Sequence, residues 1–99
     1  MTERDITAIL SVQHALLGCV SPNLRGVTCA SASDRVFMRF VFDGEIAADD
    51  REAASEAETE VLADFPDRRV KFECVRLDSP APLNQLTLDW WAYIRRERT

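Results

Sequence analysis

The chain has 99 residues, 46% of them hydrophobic, with 12 basic and 17 acidic side chains and a net charge of −5. That length predicts one domain, residues 1–99, with enough apolar material for a core of its own and no Gly/Ser-rich or Pro-rich linker to divide it. The start, Thr2-Glu3-Arg4-Asp5, lacks the basic and apolar run of a signal peptide, and no stretch approaches the ~18 apolar residues of a membrane span, so a cytoplasmic location away from membranes is expected.

In chain order, Thr2 with Asp5 three residues later reads as a capping box. Ile6, Ile9, Leu10, Leu16 and Leu17 then recur at helical spacing up to Gly18, a natural stop. Ser21-Pro22-Asn23 is a turn, and residues 24–30 form a candidate strand. Ser31-Ala32-Ser33-Asp34 reads as a hairpin loop leading into the clearest strand, residues 35–42. There Val36, Met38, Phe40 and Phe42 alternate with Phe37, Arg39 and Val41, so the first set should face the helices.

Asp43-Gly44 closes that strand, and a second helix is predicted from about 47 to 64, ending before Pro66. Its apolar stripe, Ile46, Ala53, Ala57 and Val61 with Ala54 alongside, is thin and rich in alanine, which favours close packing. Asp49, Glu52, Glu56 and Glu60 make an acidic ridge on an adjacent face. Residues 69–77 predict a third strand, Ser79-Pro80-Ala81-Pro82 breaks it, and residues 90–96 predict a fourth.

The order αββαββ predicts an α+β fold, a four-stranded, mostly antiparallel sheet with two helices on one face and the other face open. A fully antiparallel strand order 1-2-4-3 is preferred over a mixed 1-2-3-4.

Charge is the strongest functional signal. Between Asp43 and Asp67 ten acidic residues meet one basic residue, Arg51, whereas the rest of the chain carries 11 basic and 7 acidic residues. A single-sign surface acts on oppositely charged partners over about a Debye length, ~8 Å at physiological salt. The second signal is Trp90-Trp91 with Tyr93, followed by Arg95, Arg96 and Arg98. Strand alternation sends one Trp to the core and the other to the open face, and exposed Trp and Tyr beside Arg are enriched at binding hot spots. The acidic balance argues against direct nucleic-acid binding through these aromatics.

Catalytic chemistry has no comparable support. His14 is the only histidine, and no nucleophile or orienting group is spaced to meet it. Cys19, Cys29 and Cys74 have no metal-ligand spacing and are odd in number, so they are expected to be reduced core thiols, at least two of them buried. Neither a metal nor a cofactor is expected, and no enzymatic activity.

Residues 15–25, ALLGCVSPNLR, and the segment 42–66 with FDGEI, DREAASE and ADFP resemble a family of small bacterial proteins. Some of its members look like immunity proteins of contact-dependent growth inhibition and related polymorphic toxin systems. The resemblance implies a stoichiometric, non-enzymatic partner for the toxic domain encoded beside it, often a nuclease whose basic cleft an acidic helix could cover. Asp49, Glu52, Glu56 and Glu60, with Trp90 and Trp91, are then the candidate partner-binding residues. A competing expectation is a homo-oligomeric scaffold or regulatory domain that pairs through the open sheet face, burying Phe37, Val41 and the outward Trp. Oligomeric state is not legible in the sequence.

Overall fold

The computed structural model describes residues 3–97, without the side chain of Arg4; the capping role of Thr2 lies outside the described residues. Helix α1 (Glu3–Ala15) leads to strands β1 (Leu24–Ala32) and β2 (Arg35–Phe42), then helix α2 (Ala48–Asp64), strand β3 (Arg69–Arg76), a single 3-10 turn (Leu83–Leu86) and strand β4 (Trp90–Ile94). The fold is α+β, and its sheet is mixed. β1 pairs antiparallel with both β2 and β4, while β3 lies parallel to β2, giving the order β3-β2-β1-β4.

This order corrects the fully antiparallel 1-2-4-3 arrangement and the second hairpin it contained. α2 carries the chain back along the sheet, so β3 re-enters beside β2 in the same direction, as a helical crossover does. β3 and β4 end up on opposite edges, and the connection between them, residues 77–89, has to cross the sheet. The helices occupy one face, so it crosses the other. The Leu88 N–H donates to Thr28 Oγ1 (2.9 Å), and Arg39 Nη1 donates to the Leu86 carbonyl (2.8 Å). Beneath this strap Val41 and Thr28 are fully buried, so the face expected to be open is largely covered.

Between sheet and helices Val36, Met38, Phe40 and Phe42 of β2 pack with Leu24, Val27 and Cys29 of β1 and with Ala54, Ala57 and Val61 of α2, as the alternation predicts. Phe40 meets Phe72 of β3 edge-to-face, centroids 6.2 Å apart. α2 stops where expected, since Phe65 precedes Pro66 and leaves the helical region.

α1 differs from its sequence pattern. Its buried residues include Ala8, Val12 and Ala15, with Leu16 just beyond the helix, while Ile6 and Leu10 are exposed and Leu17 is 74% exposed. Small residues face inward because α1 packs against the alanine-rich α2, and the large β2 side chains already fill the layer beneath. A row of apolar side chains is left on the outside of α1.

Only Cys29 is buried, with Cys19 and Cys74 partly exposed, so the expectation of at least two buried thiols does not hold. Burial pushes the Cys29 thiol far up from its ordinary pKa. A thiol reagent on the native protein should modify Cys19 and Cys74 and spare Cys29 until the chain unfolds. Equal native-state rates for all three would overturn this placement.

Candidate functional site

Asp49, Glu52, Glu56 and Glu60 are all exposed on α2, and none makes an ion pair with any described residue. They lie on one flank of the helix because the opposite positions, Ala54, Ala57 and Val61, are held in the core. The ridge has an apolar border. The thiol of Cys19 is raised by burial and further by the negative charges of Glu56 and Glu60, which places the turn after α1 beside the C-terminal half of the ridge. Leu17 and Val20, on either side of Cys19, are exposed there. Carboxylates flanked by exposed aliphatic side chains can attract a basic surface and then exclude water from part of the contact.

Trp90 and Trp91 are both half-buried. A bulge in β4 leaves Trp90 opposite Cys29 and Tyr93 opposite Val27, so both pack on the core although they are three residues apart. Trp91 lies on the other face, as alternation predicts, but its ring covers β1. A Cβ at Gly26 would stand 2.8 Å from Trp91 Cζ3, so only glycine fits beneath that ring. Trp91 Nε1 donates to Thr87 Oγ1 of the strap (3.2 Å). With Val41 buried as well, the scaffold alternative loses most of the surface it required.

The arginine cluster beside these aromatics serves the fold at Arg95. A bulge after Leu24 makes Arg25 an extra residue in β1 and leaves it 2% exposed. Its guanidinium is held at both ends by Glu97, Nε to Oε2 at 2.7 Å and Nη2 to Oε1 at 2.9 Å, and Nη1 donates to the Leu77 carbonyl (2.7 Å). Arg95 Nη2 bridges Glu97 (2.9 Å) and Asp43 (3.1 Å), and its Nη1 donates to the Pro22 carbonyl (2.8 Å). Arg25 foremost, with Arg95, lowers the Glu97 carboxyl to about 2 against the opposing effect of burial. Nearby, Asp78 accepts from the Gly44 N–H (2.7 Å) and pairs with Arg76 (3.0 Å). These groups tie the strap and the end of β4 to the sheet, and sequence reasoning missed them. A charged residue amid Leu24 and Val27 was the one available sign.

His14 is exposed on α1, and among the described residues no group of three or more His, Cys, Asp and Glu is placed to hold a metal ion. No described helix is long and apolar enough to cross a membrane. The arrangement offers charged and apolar contact surface. Residues 5–97 match the family model described as MafI2 immunity protein. No curated protein matches the chain.

Proposed function

The chain belongs to the MafI2 immunity protein family, and from that membership we propose that it binds and neutralises a cognate toxin domain encoded beside it, in the cytoplasm and without chemistry of its own. The toxin in this reading is a nuclease, and the ridge Asp49, Glu52, Glu56 and Glu60 covers its basic cleft. The observation that carries the choice of surface is that the four carboxylates are exposed and that no cation among the described residues pairs with them. Complementary charge speeds encounter and orients the partners. Apolar contact then supplies most of the affinity, from Leu17 and Val20 beside the ridge and from what remains exposed of Trp90 and Trp91.

Co-purification with the adjacent gene product, followed by rescue of cells expressing that product, tests the partnership. The surface is tested by replacing Glu52, Glu56 and Glu60 with Lys. These side chains are solvated, so the fold should survive. Association should slow by at least about tenfold at low salt and lose much of its salt dependence. Unchanged association kinetics in a variant folded by circular dichroism would exclude the ridge as the contact.

A further inference from the structure

The cations on the sheet strands fall into two groups. Arg25, Arg39 and Arg76 each hold a carboxylate of this chain, Glu97, Glu73 and Asp78, at 2.7, 2.7 and 3.0 Å. Arg35, Arg69 and Lys71 hold none among the described residues, in a chain with 17 acidic side chains. Even Asp34, next to Arg35 in the hairpin turn, makes no ion pair with any of them. The three also stand together. Arg35 is the register partner of Arg69, and Lys71 that of Phe37.

They lie on the face away from the helices, at the end of the sheet that the strap leaves uncovered, and all three are exposed. With Ala30, Val36 and the half-buried Phe37 they line an open depression of about 470 Å³. Like charges set opposite one another on neighbouring strands destabilise the pairing. Nothing within the described chain offsets that cost, whereas each remaining strand cation has its counter-ion. An external anion would offset it.

We propose that this depression docks an acidic segment of the cognate toxin, its carboxylates meeting Arg35, Arg69 and Lys71 and an apolar side chain resting on Phe37. The identity of the partner rests on the toxin-binding reading; the surface is a different one from the ridge. Charge complementarity favours a protein segment over nucleic acid, since a phosphate backbone is negative along its whole length and would meet the field of the acidic helix, whereas an acidic segment is local and belongs to a partner whose basic cleft meets the ridge. It also favours the toxin over a second copy. The ridge of another copy would fit the depression only head-to-tail, a contact that does not close, between two molecules each of net charge −5.

The test is the affinity of the adjacent gene product for the full chain carrying Arg35→Gln, Arg69→Gln and Lys71→Gln. The dissociation constant should rise at least about tenfold, mostly through faster dissociation, because a docked ion pair is lost. The melting temperature should stay or rise, because like-charge crowding is relieved. Lys71→Gln alone, at an exposed position, gives the same readout with a smaller effect should the triple variant fail to fold. Unchanged affinity in folded variants, with the wild type binding and the ridge variant weakened, would overturn the proposal and leave the toxin-binding reading intact. Failure of the wild type to bind would overturn both. Binding of a labelled 20-mer RNA that the triple variant loses would assign the depression to phosphate instead. A dimer at low salt that the triple variant loses would assign it to a second copy.

Discussion

Glu97→Ala should lower the free energy of unfolding by about 3 kcal/mol, because it removes the carboxylate paired with a buried guanidinium and leaves the Leu77 carbonyl and the more distant Asp43 and Asp78 to offset its charge. Arg25 is 2% exposed, at the bulge in β1. For a domain whose total stability is expected to be ~5–15 kcal/mol, that is a large share. The same pair contributes to acid stability. The Glu97 carboxyl titrates at about 2 in the folded protein against an ordinary value of 4.5, so its contribution is fully present above the ordinary value and is lost as the pH falls towards 2. Urea midpoints measured between pH 5 and 2 should fall steeply for the wild type and more gently for Glu97→Gln. Identical slopes would mean that Glu97 does not hold Arg25 in solution.

Phe40→Ala is the second large effect, expected at about 3–5 kcal/mol, since it empties a fully packed position between sheet and helices and breaks the edge-to-face contact with Phe72. Arg39→Ala, one residue earlier on the other face, should cost about 1.5–3 kcal/mol, the range for hydrogen bonds to a charged group. It forfeits the bonds to Glu73 and to the Leu86 carbonyl, but opens no apolar cavity. Equilibrium denaturation of the two variants in parallel should place Phe40→Ala at the lower midpoint. The reverse order would invert the two faces of the sheet.

What the sequence makes legible here is local. Val36, Met38, Phe40 and Phe42 announce both a strand and its inward face, and Glu52, Glu56 and Glu60 announce a charged helix flank, because each pattern is complete within one element. Whatever depends on two distant segments is hidden. The parallel placement of β3 follows from the path of α2, and the covering of Val41 follows from β3 and β4 lying on opposite edges. Arg25 acquires its role only from Glu97, 72 residues away. The outward Ile6 and Leu10 of α1 mislead for a related reason: helical spacing marks an apolar face, but the packing partner decides which face is used. Arg35, Arg69 and Lys71 form a group only through the register of β2 with β3.

β1, the strand flanked by two antiparallel partners, also sets an order of events in folding. Its pairing with β2 needs only a tight hairpin, which closes at little entropic cost, whereas its pairing with β4 must close a loop containing most of the chain. During synthesis the hairpin, α2 and β3 are available while the other edge of β1 is still bare and Arg25 still lacks its carboxylate. An unpaired edge beside a charge that still lacks its counter-ion is a template for wrong pairing. Docking of β4 therefore covers the bare edge and pairs Arg25 with Glu97 in a single event, so the sheet is complete only once residues 90–97 have been made.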